Sequence, residues 1–361
     1  MYSEDDLEAA VAAGVIDRET VTRLRAFQAR SAHMPIVDEE HFRLITGFND
    51  IFVSIAGVLL LVALGWLGQA IPLGLADGPR PLGGLFVAIA AWGLAELFTA
   101  RRRMALPSII LLVAFVGGLL EATVAGIAAL LDMSGIHNLD PVIGSLALAG
   151  GAAVAAIGAW VHWRRFHVPI TIAAGAAAVV AVIVALLAAA FPLLQHHVEW
   201  PALVGGLCVF AVAMRWDMSD PERTTRRADV AFWLHLLAAP LIVHPIFVML
   251  GLLDGGIGIG GIIAVVALYI VLGLIALTID RRALMVSALA YVLYALSELF
   301  RQVGAVSLNV ALTALIIGSA LLLLSAYWTA VRAAILSVLP ESWRAGLPRA
   351  IEPLPLTPRS A

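Results

Sequence analysis

Residues 101–131 read RRRMALPSIILLVAFVGGLLEATVAGIAALL. Three arginines open the stretch, and from Ala105 on it holds one ionisable side chain, Glu121, past its middle. The run is apolar on every face, whereas a helix on a soluble core keeps a polar side. At 1.5 Å per residue, about 20 residues cross the ~30 Å hydrocarbon layer of a bilayer. The stretch therefore predicts a membrane-spanning helix that leaves a cationic end.

The same unit recurs along the chain. Apolar segments long enough to span fall at 50–69, 81–100, 105–131, 141–162, 168–193, 200–215, 229–253, 257–279, 283–302 and 305–331. The sixth is the shortest. Of the 22 arginines, five precede the first segment, and four (332, 344, 349 and 359) follow the last. Eleven lie in the even-numbered gaps: Arg101 to Arg103, Arg164 and Arg165, Arg215, Arg223, Arg226 and Arg227, and Arg281 and Arg282. The odd-numbered gaps hold only Arg80 and Arg301. Cationic loops stay in the cytosol, so the sequence predicts an all-α polytopic transmembrane bundle of about ten spans with both termini cytoplasmic. The Arg-Arg pairs that begin at 102, 164, 226 and 281 are spaced by 62, 62 and 55 residues. Duplication of a two-helix hairpin gives such a spacing, and so does any regular up-and-down bundle.

Composition agrees and removes whole classes of function. The chain of 361 residues is 62% hydrophobic and 13% charged, with mean hydropathy +0.99, well above a soluble domain. All 22 basic residues are arginine. Without lysine there is no P-loop, no Schiff-base lysine and no Ser–Lys dyad. The single Cys208 leaves no intrachain disulfide, Cys-x-x-Cys site or covalent haem motif. A net charge of −3 and the lack of a basic, aromatic-laced patch argue against nucleic acid. The start is acidic and the first apolar run opens near residue 51, so no cleaved leader is expected. No cofactor is called for. The expected partners are the lipid bilayer and a small solute or a proton.

Three regions follow. Residues 1–49 read as a cytosolic helical hairpin and linker, with Asp17 placed to cap the second helix. Its apolar stripe (Val21, Leu24, Phe27) is too small to fold alone, so a protein partner or self-association through this hairpin is expected. Residues 50–331 form the bundle. Residues 332–361 read as an interfacial helix, with Arg332 outward, and a disordered Pro-rich tail. Pro141 and Asp229 mark helix starts. Trp163, Trp200, Trp216 and Trp328 stand at span ends, as an aromatic belt requires. The Ala/Gly-rich fourth and fifth spans read as interior helices, because small residues let backbones approach in lipid.

Ionisable side chains inside a bilayer are costly and so are functional candidates. Glu121, His244 and Glu298 lie at similar depth on three helices that run the same way. Together they would form a proton or cation site. The other reading satisfies each locally, with Glu298 pairing with Arg301 one turn on. The seventh span also carries His235, Pro240 and Pro245. Each proline removes an intrahelical donor and frees the carbonyl four residues back, Leu236 or Leu241, so a kinked lining helix and a kinked packing helix both fit. Glu96 and His162 lie beside arginine runs and are read as paired with them. His137, Asp140, His196, His197 and Glu199 are metal-ligand types without a fixed geometry, and no metal site is assigned.

The stretch LEAAVAAGVIDRET (residues 7–20), followed by arginine-paced spans, resembles multi-spanning bacterial membrane proteins of unknown function that open with a short helical hairpin. The resemblance implies an inner-membrane location and no catalytic residues. Ten spans with both ends inside is also similar to drug/metabolite-type transporters built from two inverted five-helix halves. It implies fold only, and Glu121 has no acidic counterpart in the eighth span. The function expected is that of a transporter or permease with a proton-exchanging Glu121, the Pro240/Pro245 segment moving. The alternative is a non-catalytic scaffold or sensor that binds a partner through the hairpin.

Overall fold

A computed structural model describes residues 48–71, 80–133, 141–220, 225–251, 259–281 and 327–341. It also describes positions 11, 17, 20, 21, 285, 289, 293, 315, 316, 318–320, 323, 324 and 347. Leu44–Ala350 form one compact unit; Met1–Arg43 with Ile351–Ala361 form another. In the latter, the Thr20 amide donates to Asp17 Oδ1 at 2.6 Å. Bonds from Thr20 hold the Asp17 carboxyl below its ordinary pKa range, as an N-cap does. The rest of the hairpin lies outside the described residues, as do Glu298 and most of the expected ninth and tenth spans.

The main unit is helical, with no strand among the described residues. In chain order the helices are α1 (Phe48–Ala70), α2 (Pro81–Ala95), α3 (Ala105–Met133), α4 (Pro141–Phe166), α5 (Ile170–Ala190), the single turn α6 (Pro192–Gln195), α7 (Glu199–Met218), α8 (Arg226–Met249), α9 (Ile259–Ile279) and α10 (Trp328–Val338). Seven stretches among the described residues are long and apolar enough to cross a membrane: α1, α2 with its extension to Arg101, α3, α4, α5, α7 and α8.

Local chemistry sets the ends. Pro81 and Pro141 open α2 and α4, where a missing N–H costs nothing. Phe191 is extended (φ −125°, ψ 104°) because Pro192 disfavours the helical region at the residue before it, so α5 stops three residues short of the expected 193. The expected short sixth span is α7, 20 residues long and so about 30 Å. It runs past Arg215 through Asp217, whose charge is met inside the protein. Thr225, not Asp229, caps α8, accepting from Arg227 N at 3.2 Å. Asp229 sits in the first turn. The end of α2 widens into a π turn over Glu96–Arg101, with Arg102 N bonded to Leu97 O, five residues back.

Small residues bring the helices together. α4 buries Ala147, Gly151, Ala152, Ala155, Gly158 and Ala159, and α5 buries Ala173, Ala178, Ala185 and Ala188. These two pack on each other, as α2 does on α3 and α7 on α8. Large apolar side chains point outward, among them Trp66 (79% exposed) and Leu59 (65%). That inversion is what a lipid solvent permits. Glu96 on α2 binds Arg165 on α4, and Trp163, Trp216 and Val230 share one apolar cluster. The arginine-bearing ends of α2, α4, α7 and α8 therefore lie together.

Candidate functional site

Two polar clusters stand out, one at each end of the bundle. The first is built on Glu121. It lies sixteen residues into α3 and faces the last turn of α1 and the first turn of α2. Gln69 Nε2 on α1 donates to Glu121 Oε1 at 2.9 Å, and the Gly84 amide on α2 also donates to the carboxylate. Gln69 is itself clasped by the turn: Arg80 N donates to its Oε1 at 3.0 Å, and its Nε2 also reaches Arg80 O at 3.1 Å. The Arg80 guanidinium donates from Nη1 to Gln69 O at 2.9 Å and to Ile71 O at 3.3 Å. It thereby satisfies carbonyls that the end of α1 leaves open.

Glycine makes this arrangement possible. A Cβ on Gly83 would meet Gln69 Nε2 at 2.6 Å, and one on Gly84 would run into the Glu121 carboxylate and the Gly118 carbonyl. Gly118 in turn lies against Gly84 O. The α2–α3 approach over Gly84 and Gly118 is thus the cradle for Glu121, whose side chain is half-buried. The residue lies at the level where α1 ends and α2 begins, far from the arginine-rich end.

The second cluster lies at that arginine-rich end. Arg281, directly after α9, grips Asp217 of α7 in a bidentate pair: Nε donates to Oδ2 at 3.0 Å and Nη2 to Oδ1. Nη2 also donates to Ala228 O of α8 at 3.2 Å. His235 Nδ1 lies 3.8 Å from Asp217 Oδ2 and 2.8 Å from Ala231 O. Its ring stands edge-on to Phe210, centroids 5.4 Å apart. The neighbouring Asp280 accepts from Trp328 Nε1 at 2.7 Å and lies 3.7 Å from Arg332 Nε. Asp217, Arg281, Asp280, Arg332 and His235 are all buried. Two carboxylates and two guanidiniums thus tie α7, α8, α9 and α10 together.

The sequence candidates distribute as follows. Glu121 is held by Gln69 and Gly84 and by no group on α8. His244 lies on α8, which packs chiefly on α7 and also on α5, whereas α3 packs chiefly on α1, α2 and α4 and only lightly on α5. Glu298 lies outside the described residues. His235 belongs to the arginine-rich cluster. Helix α8 runs unbroken through Pro240 and Pro245. The carbonyl of Leu241, freed by Pro245, packs so closely on Gly206 of α7 that a Cβ there would meet it at 2.8 Å. That contact fits the packing role for this segment. Glu96 pairs with Arg165 as expected. His162 instead sits fully buried among Trp92, Phe115 and Phe166, with Nδ1 3.2 Å from Thr171 Oγ1.

Two expectations are corrected. Arg332 is buried at 3% exposure rather than outward, because Asp280 meets its charge. Trp328 is likewise buried and bonded to Asp280 instead of standing in a lipid-facing belt. Sequence reasoning missed Asp217 and Asp280 altogether. The available signal was an aspartate inside each of two turns otherwise marked by arginine.

No family model, curated protein or solved structure matches this chain. The apolar helices define the class: this is an integral membrane protein, helical throughout its described secondary structure.

Proposed function

We propose that the protein is a transporter or permease for a small solute and that Glu121 takes up and releases a proton during its cycle. The observation that carries this reading is the neutrality of the groups around Glu121. Its donors are an amide side chain and a backbone N–H, and the nearby guanidinium of Arg80 is spent on the carbonyls of Gln69 and Ile71. A carboxyl bound by neutral donors gains or loses a proton without breaking an ion pair. Burial among apolar helices makes each change of charge consequential for packing.

Gln69 supplies the link from proton to backbone. It donates to the carboxylate while its own amide is fixed by both main-chain groups of Arg80. Protonation weakens the charge-assisted bond from Gln69 and loosens the α1–α2 turn against α3. In this reading the arginine-rich end faces the cytosol of a bacterium and the Glu121 end faces outward.

The test uses the full chain in liposomes with a trapped pH dye. Single amines, amino acids and organic cations are added outside in turn. At least one solute should drive an internal pH change in the wild type, and the change should fall to the protein-free background in Glu121→Gln. A wild type that moves no proton with any solute, or a Glu121→Gln variant that moves as many, overturns the proposal.

A further inference from the structure

Three residues other than glycine have a positive φ among the described residues: Arg103 (53°), His167 (54°) and Asp280 (58°). All three lie in turns at the arginine-rich end. Each follows a helix end, where the left-handed conformation closes the last turn and glycine is the usual occupant. His167 N bonds to Trp163 O, Met104 N to Phe98 O, and Arg281 N to Ala276 O. A side chain at such a position is strained, since its Cβ crowds the following carbonyl.

At Asp280 the reason for a side chain is visible, because the carboxylate binds Trp328 and lies beside Arg332. At Arg103 no such partner is found among the described residues. Its guanidinium is exposed and, among the described residues, makes no hydrogen bond or ion pair, as is true of Arg101 and Arg102 beside it. The turn at His167 adjoins this one, since Glu96 binds Arg165 and Phe166 packs on Trp92. There Arg164 lies over the ring of Trp160, 5.3 Å from its centroid. Trp160 is itself 59% exposed on an apolar helix, so the guanidinium is presented at the rim of the lipid-facing surface.

We infer that this corner of the bundle, Arg101 to Arg103 with Arg164, binds the phosphate headgroups of anionic phospholipids. Charge complementarity selects the partner: Arg101 to Arg103 and Arg164 are exposed, Glu96 beside them is taken by Arg165, Arg164 lies at the edge of an apolar surface, and the anion found there is a phosphodiester anchored by acyl chains. The left-handed Arg103 is kept, against its strain, because its charge is used outside the protein. This inference is independent of any role for Glu121.

The test measures enrichment of phosphatidylglycerol over phosphatidylcholine around the full chain taken from vesicles of equal parts of the two, together with melting temperature in a zwitterionic detergent. The wild type should enrich phosphatidylglycerol. Arg103→Gly should lower the enrichment roughly fivefold while leaving the melting temperature unchanged or higher, because glycine relieves the strain. Arg103→Lys should keep the enrichment, and Arg103→Gln should lower it as much as Arg103→Gly does, without gaining stability. Inorganic phosphate at equal concentration should not displace the lipid. Absence of enrichment in the wild type overturns the inference, as does an Arg103→Gly variant that melts lower with its lipid preference intact. Displacement by inorganic phosphate would make free phosphate the ligand and would overturn the assignment to lipid.

Discussion

The two polar clusters solve the problem of charge in an apolar bundle in opposite ways. At the arginine-rich end, Asp217 and Arg281 are buried and bidentate, and Asp280 with Arg332 repeats the pairing against α10. Each charge is matched and each is sealed from solvent. At the other end, Glu121 is half-buried and is bound by Gln69 and the Gly84 amide, neither of which is charged. A matched, sealed pair holds its partners in place, because losing one strands the other. A carboxyl among neutral donors carries no such constraint. The first arrangement ties helices to one another through ion pairs, and the second holds a carboxyl group through neutral donors.

Removing one partner from each cluster sharpens the contrast. Arg281→Ala should have the largest effect, about 3–5 kcal/mol of lost stability, read as reduced resistance to denaturant in detergent. The double variant Asp217→Leu with Arg281→Met should recover most of it, since an apolar pair of similar volume leaves no stranded charge. A single variant as stable as the wild type would break the comparison. Glu121→Gln should change stability by less than about 1 kcal/mol. The new side-chain oxygen still accepts from Gln69 or from Gly84, and no cation loses its partner. A loss as large as that of Arg281→Ala would place Glu121 with the structural pairs.

Much of the fold was legible because hydropathy and turn residues act locally. The starts at Pro81 and Pro141 and the end at Ile279 fall where the sequence places them. Glu121 was legible as the lone charge in its segment. Its partners were not. Gln69 is polar but uncharged, and Arg80 looked like an isolated exception to the arginine asymmetry. Only the packing of α1 and α2 on α3 brings them together. The arginine-rich cluster escaped for a related reason. Counting arginines treats each as a surface charge, so the burial of Arg281 and Arg332 was hidden. Asp217 lies 64 residues before Arg281, and Asp280 lies 48 before Trp328, so neither pairing has a local signature. The prolines of α8 were visible in sequence, but Gly206, which receives the Leu241 carbonyl, lies on another helix.

Labelling with an apolar carbodiimide, read by mass spectrometry on the full chain in lipid, tests the distinction most directly. The reagent modifies carboxyl groups that take up a proton in an apolar setting. Glu121 should be modified and Asp217 spared. Modification of Asp217 with Glu121 left untouched would contradict the account.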